Sequence, residues 1–573
     1  MPVGPSYRPD PRFAALGDEF SDAVEPANFP RHIVRWRDQR AAGEVGLDSL
    51  TEGEWIDHFG RFDPLPGQPG PRAMRYHGHQ FRTYNPNLGD GRGFLAAQLR
   101  DERDRLLDLG TKGSGQTPWS RDGDGRLTLK GGVREVLAAE MLAARGVPTC
   151  RILSLVETGE QLARGDEPSP TRSAAMVRLQ HSHVRFGTFQ RHAFFERTDL
   201  IEQLVAHVID AYHPTATDAA GMLEAIVRAQ ARLVARWTAA GFVHGVLNTD
   251  NLNVTGESFD YGPWRFLPRL DPAFTAAYFD TIGLYSFGRQ ADAVFWALRQ
   301  LAATLRSQAD EPALVDALNA FGPTYVAESH AAFRDRFGVR DAGPEAGQRL
   351  VDATLALMAE GGEALGFEGV FHDWFCGEAS SGRAMAGPRA AAYSGGSFHA
   401  FLSALSEHAP ERPERLDHPV FAGPEPQDML IDEVEAIWAA IAEGDDWSAF
   451  EAKVAAMRAY GEARALKAKG RRLRAGLQPL VLRPTLVGGG QVHGGFLAAA
   501  TVLFDLVVDR LTFVQRAERR TLDGGGVNED VLAAVSRGDE AIALDAVEPL
   551  DGAFSHFQSP RWQCRKTPAG RRV

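Results

Sequence analysis

A short polar loop, His244-Gly245-Val246-Leu247-Asn248-Thr249-Asp250-Asn251, constrains this chain more than any other stretch. It opens just after an amphipathic run from Met222 to Ala240, whose apolar residues recur at helical spacing and which Gly241 stops. Nine residues beyond Asn251 stands Asp260-Tyr261-Gly262. Asn251 and Asp260 offer two oxygen ligands of the kind a hard divalent cation takes. Asp250 lies beside them. By itself it reads equally as a proton acceptor and as a turn-former.

The chain on either side of this loop changes character. From Pro71 to about Arg191 short apolar runs alternate with Gly-rich turns. Strands are predicted at Leu95 to Leu99, Leu106 to Thr111, Leu127 to Leu129, Arg151 to Glu157 and Ala174 to Leu179. One helix interrupts them, with Val133, Val136, Leu137, Met141 and Leu142 on its apolar face and Gly146 and Pro148 at its end. After Asp199 the pattern is helical: Leu200 to Tyr212, Met222 to Ala240, Ala291 to Leu305, Leu314 to Ala320 and Glu345 to Met358. Residues 379–426 are rich in Gly, Ser, Pro and Ala and predict a long loop or linker. Helices are expected again at Met429 to Ala442 and Trp447 to Ala468, before a basic run, Lys467 to Arg474, and a polar tail from Ser555. The division that follows is an N-terminal arm (1–70), a strand-rich lobe (71–191), a helical lobe (192–377) and a C-terminal extension (378–573).

Composition limits the partners. The 573 residues carry a formal net charge of -13, which argues against a general nucleic-acid binder. Three cysteines, Cys150, Cys376 and Cys564, are far apart, which suits a reducing compartment and gives no Cys-based zinc site. The start, Met1-Pro2-Val3-Gly4-Pro5, lacks a basic and an apolar region, and the most apolar window, 496–508, contains Asp505 and is too short to span a bilayer. The expected location is cytoplasmic, with no membrane partner.

Four segments supply what nucleotide binding needs, in the order of a protein kinase. Leu88-Gly89-Asp90-Gly91-Arg92-Gly93 is Gly-rich, so its backbone can approach phosphates. Alone, most such hexamers are turns, and it lacks the third Gly of a dinucleotide fingerprint, since Phe94 stands there. Gly110-Thr111-Lys112-Gly113-Ser114-Gly115 has P-loop glycines but Gln116 in place of the required Lys. Lys112 instead closes a predicted strand, where a kinase keeps its phosphate-binding Lys, and Glu135 on the next helix is placed to pair with it. Arg178 and Arg185 flank Gln180-His181-Ser182-His183; two guanidiniums can clamp phosphate, but spacing alone favours two unrelated surface arginines. The pairs His77/His79 and His181/His183 have no carboxylate or Cys at ligand spacing, which disfavours a metal site. The fourth segment is the opening loop with Asp260. A kinase signature runs H-R-D-x-x-x-x-N and then D-F-G. Here Val246 occupies the place of the catalytic Asp, and an apolar side chain cannot take a proton.

These words, together with Tyr76-His77-Gly78-His79-Gln80-Phe81, Asn85-Pro86-Asn87-Leu88, Asp122-Gly123-Asp124-Gly125-Arg126, Ser182-His183-Val184-Arg185-Phe186-Gly187 and Phe287-Gly288-Arg289-Gln290, resemble the selenoprotein O family, also called the YdiU family. The resemblance covers about residues 70–300. It implies an α+β, bilobal protein-kinase-like fold and a protein adenylyltransferase. ATP then lies flipped, AMP passes to a Ser, Thr or Tyr hydroxyl of an acceptor protein, and pyrophosphate leaves. On that reading Lys112, Arg178, Arg185, Gly89, Gly91, Arg92, Asp124 and Gly125 hold the phosphates, and Glu135 orients Lys112. Asn251 and Asp260 hold magnesium or manganese, and Asp250 accepts the proton. The alternatives are transfer of the γ-phosphate and a non-catalytic nucleotide-binding scaffold. Family members often end close after a cysteine or selenocysteine, whereas nine residues follow Cys564 here.

Overall fold

The structure is a computed structural model that describes residues 4–465 except Asp166. The basic run, the polar tail and Cys564 lie outside the described residues. Its sheet has eight antiparallel strands. Along its main path they run Ser21–Ala23, Arg72–Met74, Leu95–Arg100, Leu106–Lys112, Thr171–Gln180, Arg151–Leu162 and Ile33–Arg37, and Leu127–Thr128 pairs with Thr171–Gln180 at the side. The Leu106–Lys112 strand is buried along its whole length between two layers. One layer is the helix Leu129–Ala144, whose Val133, Val136 and Leu137 are fully buried. The other is built from Trp55, Phe59, Phe62 and their neighbours in the first seventy residues.

Two sequence expectations are corrected here. The N-terminal arm does not merely lie over the sheet: Ser21–Ala23 and Ile33–Arg37 are its two end strands along the main path, paired with Arg72–Met74 and Arg151–Leu162. Pairing supplies partners for backbone groups that an arm resting on a surface would leave to water. Residues 379–426 are not a long loop. They carry the helices Ser381–Ala386 and Gly395–Ser406, and Phe398, Phe401 and Leu405 are buried against Trp374 and Phe337. Gly395, Gly396 and Ser397 open the second helix, while three apolar side chains anchor the segment. A smaller difference is Leu129. The strand stops at Thr128, whose side chain accepts the Gly131 amide and caps the helix that Leu129 opens.

The remaining elements are two short two-stranded sheets and helices, among them Phe186–Phe194, Thr198–Tyr212, Ala219–Ala240 and Gln290–Thr304. The long Ala219–Ala240 helix ends in a left-handed Gly241 and hands the chain to Phe242–Val243, a short strand paired with Arg265–Phe266. The loop from His244 to Arg265 is thereby pinned at both ends. No helix among the described residues is long and apolar enough to cross a membrane.

Candidate active site

Lys112 stands at the last position of its strand and is buried. Its Nζ lies 2.7 Å from Glu135 Oε1 and 2.5 Å from Asp260 Oδ1. Three distant segments thus meet at one ammonium: a strand end, the middle of a helix and the turn after the polar loop. Asp260 adopts a left-handed conformation, φ 62°, which Asp tolerates better than most residues.

Arg178 and Arg185 are not surface residues. Their relative exposures are 3% and 5%. Arg178 sits on the strand next to that of Lys112 and brings Nη1 to 3.5 Å from Asp260 Oδ1. Arg185 donates to the Asp250 backbone carbonyl at 2.6 Å and approaches Asp90 Oδ1 at 3.5 Å. Its guanidinium also faces the rings of Tyr76 and Phe259. Three cations and three carboxylates, Glu135, Asp260 and Asp90, are therefore drawn together in a buried site. Burial works against ionisation of Asp260, but Lys112, Arg178 and Arg185 outweigh it and hold that carboxyl well below its usual range. For Asp90 burial prevails over Arg185, and its carboxyl is pushed upward. Nε and Nη1 of Arg178, Nε of Arg185 and Oε2 of Glu135 make no hydrogen bond among the described residues. Buried donors in that condition are costly, and they point to a ligand rich in acceptor oxygens.

Thr249–Asn251 forms one tight turn, and Asp250 is buried at its centre. The turn is braced by a hairpin that contains Gly78–Gln80. The His79 amide donates to Thr249 Oγ1 at 2.8 Å, and the Phe81 amide donates to Asn248 Oδ1 at 3.0 Å. Thr249 in turn donates to Gln190 Oε1, and Tyr285 donates to Asn248 Oδ1. Gly78 leaves room at this contact: a Cβ there would stand 3.1 Å from Asp250 Oδ1 and from Thr249 Oγ1. His244 is structural, with Nε2 against the Phe259 carbonyl at 2.9 Å. The Asn251 amide nitrogen donates to the Val246 carbonyl at 3.2 Å, so the amide oxygen is the atom that could face an ion. Val246 is buried.

The glycines of the first loop have a packing reason. A Cβ on Gly89 would fall 2.3 Å from the Trp119 ring, and one on Gly91 2.9 Å from the Trp119 carbonyl. Asp124 and Gly125 form a second loop against the exit of the Leu106–Lys112 strand: the Gly115 amide donates to the Gly125 carbonyl at 3.2 Å. The Asp124 carboxylate itself faces Arg164 at 2.8 Å and the Arg126 amide at 2.9 Å. A carboxylate has no proton to give a phosphate, so this loop offers anions only its backbone. His77 meets Tyr84 and Arg191, His79 meets Gln190, and among the described residues no group of three His, Cys, Asp or Glu could hold a metal.

A family profile described as "Protein adenylyltransferase SelO" matches residues 6–458. The chain belongs to the SelO family. Similar proteins include "Protein nucleotidyltransferase YdiU" of Gloeobacter violaceus, 45% identical over 458 residues, covering 77% of this chain and 93% of that one. The protein of the same description from Synechococcus elongatus is 57% identical over 289 residues, 49% of this chain and 58% of its own. That of Pseudomonas putida strain GB-1 is 38% identical over 359 residues, 62% and 73% of the two chains. As a SelO-family chain, the protein is an enzyme of the nucleotidyltransferase class. The SelO match spans the arm and the helical segment beyond residue 379, both of which the sequence reading had set apart from the resemblance.

Sequence reasoning missed the brace of Thr249, Gln190, His79, Asn248 and Tyr285. The signal was present, since Tyr76-His77-Gly78-His79-Gln80-Phe81 and the Thr249 loop are both dense in polar and glycine residues. Nothing in their spacing says that segments 170 residues apart meet.

Proposed function

We propose that this protein is an adenylyltransferase that moves AMP from ATP to Ser, Thr or Tyr hydroxyls of acceptor proteins and releases pyrophosphate. The observation that carries this reading is the convergence of buried Lys112, Arg178 and Arg185 on Asp260, beside a loop in which Val246 replaces a kinase base. The guanidiniums lie deep in the site, so a triphosphate tail bound to them is turned inward and presents its α-phosphorus outward. The arrangement of strand Lys, helical Glu, polar loop and Asp-Tyr-Gly supports a kinase-like bilobal fold, with lobes at 71–191 and 192–377.

In the proposed reaction the acceptor hydroxyl oxygen bonds to the α-phosphorus as the bond from that phosphorus to the β-bridging oxygen breaks. The hydroxyl proton passes to Asp250, and pyrophosphate carries away the electron pair. Lys112, fixed by Glu135, and the two arginines bind the departing phosphates. Asn251 and Asp260 are hard oxygen donors suited to magnesium or manganese, and two protein ligands leave positions for phosphate oxygens and water. Such an ion would neutralise phosphate charge. The absence of nucleic-acid and membrane partners and a cytoplasmic location belong to the same reading.

ATP labelled at the α-phosphate tests it. Label should appear on acceptor protein, and γ-label should leave as pyrophosphate. Acceptor protein carrying γ-label and no α-label would replace this reading with phosphotransfer.

A further inference from the structure

A second cavity, of about 450 Å³, lies where the end of the Leu129–Ala144 helix, the exit of the Thr171–Gln180 strand and the Glu257 loop meet. It shares no lining residue with the Lys112–Asp260 cluster. Its volume is in the range of small-ligand sites. Gln180 lines it and is 2% exposed, and neither Nε2 nor Oε1 of its carboxamide has a hydrogen-bond partner among the described residues. A buried amide with both halves unmatched is destabilising, and a ligand that bonds both relieves that cost. Arg105, Arg151 and Arg236 also line the cavity, each already near a carboxylate: Asp101, Glu44 and Asp335. Guanidiniums have five donors, so each keeps capacity for a further anion.

We propose that this cavity binds an adenine mononucleotide at a site separate from the catalytic one. The complement of a carboxamide is a ligand edge with adjacent acceptor and donor. The adenine N7 and N6 positions form such an edge, and Gln pairs with it bidentately. The arginines that line the cavity match a single phosphate. Two acidic groups also line the site, Glu44 and Glu257. Glu44 is paired with Arg151 at 2.9 Å. Glu257 accepts the His181 amide at 2.7 Å, and burial pushes its carboxyl up to about 7, so near neutrality it is not a full negative charge. The site is joined to the active site through short stretches of chain. Gln180 is on the strand of Arg178, and Glu257 precedes Asp260 on a loop whose Ser258 carbonyl accepts the Cys150 amide at 3.0 Å.

The test is calorimetric titration of the full chain with AMP, with the catalytic site saturated by a non-hydrolysable ATP analogue. One further equivalent of AMP should bind. IMP, which presents two acceptors and leaves Gln180 Oε1 unmatched, should bind at least about tenfold more weakly. Gln180→Met should lose the AMP equivalent and, because it removes two unmatched buried groups, should melt no lower than the parent without ligand. The inference is overturned by absence of a further equivalent, by equal binding of AMP and IMP, or by a Gln180→Met protein that binds AMP as the parent does. The AMP and IMP comparison decides the matter in the unmutated chain if Gln180→Met does not fold.

Discussion

Two buried charge clusters in this protein use similar residues to opposite ends. In the first, Lys112, Arg178 and Arg185 surround Asp260 and Glu135, and several donors and one carboxylate oxygen remain without hydrogen bonds. In the second, Glu368 is held by Arg145, Arg336 and Tyr460, where the Leu129–Ala144 helix meets three later helices. Both Glu368 oxygens are bonded there, the Tyr460 hydroxyl at 2.8 Å. The guanidiniums extend to backbone carbonyls: Arg145 to Ala240 at 2.7 Å and Arg464 to Ala144 at 2.9 Å. Among the described residues the guanidinium Nε atoms of Arg145, Arg336 and Arg464 have no partner, but both carboxylate oxygens do. The difference teaches that burial of charge does not mark a site. Unfilled capacity around a carboxylate sets the first cluster, the proposed site, apart from the second. Mutation should therefore separate the clusters, one through activity and the other through stability.

The largest effect is expected at Asp250. Asp250→Ala should slow α-transfer by about a hundred to ten thousandfold, as loss of a general base does, while ATP still binds. Equal loss of ATP binding, read by calorimetry, would move Asp250 out of that role. Asp260→Ala should cost on the order of a hundredfold or more in rate, since it removes the carboxylate on which Lys112 and Arg178 converge. Near-normal label incorporation at ordinary magnesium would break the site assignment.

Glu368→Gln should behave in the reverse way. It leaves Arg145 and Arg336 facing a neutral group in the interior and should cost roughly 3–5 kcal/mol in denaturant unfolding. Transfer per folded molecule should persist. The pH dependence follows from the sign of the shift. Burial opposes ionisation of Glu368, but Arg145 and Arg336 hold its folded value below that of an unfolded glutamate. Its stabilisation is complete above the unfolded value and is lost as pH falls through the folded one. The parent should thus lose stability on acidification more steeply than Glu368→Gln, and parallel acid-unfolding curves would contradict the comparison.

Smaller effects sharpen it. Lys112→Met and Glu135→Ala should each weaken productive ATP use, the second less. Because the two groups touch at 2.7 Å, the double variant should be little worse than Lys112→Met alone. Gly78→Ala places a methyl 3.1 Å from Asp250 Oδ1, so the loop must give by a few tenths of an ångström. A rate loss of roughly tenfold or less is expected, with unchanged unfolding.

The sequence by itself determined the elements with a clear period and the order of the chemical groups. Ala219–Ala240, Thr198–Tyr212 and Leu106–Lys112 lie where their apolar spacing puts them, and Lys112 does meet Glu135. These are local properties: a helix face or a strand end is written in neighbouring residues. The tertiary structure alone decided that Arg178 and Arg185 are buried beside Asp260, that the first forty residues complete the sheet, and that residues 395–406 fold as a packed helix. It also decided that the Gly78 hairpin braces Asp250. Each of these depends on contacts between segments far apart in the chain. The free energy of such contacts comes from burial and from matching of donors and acceptors across the interior, and residue spacing along the chain records neither.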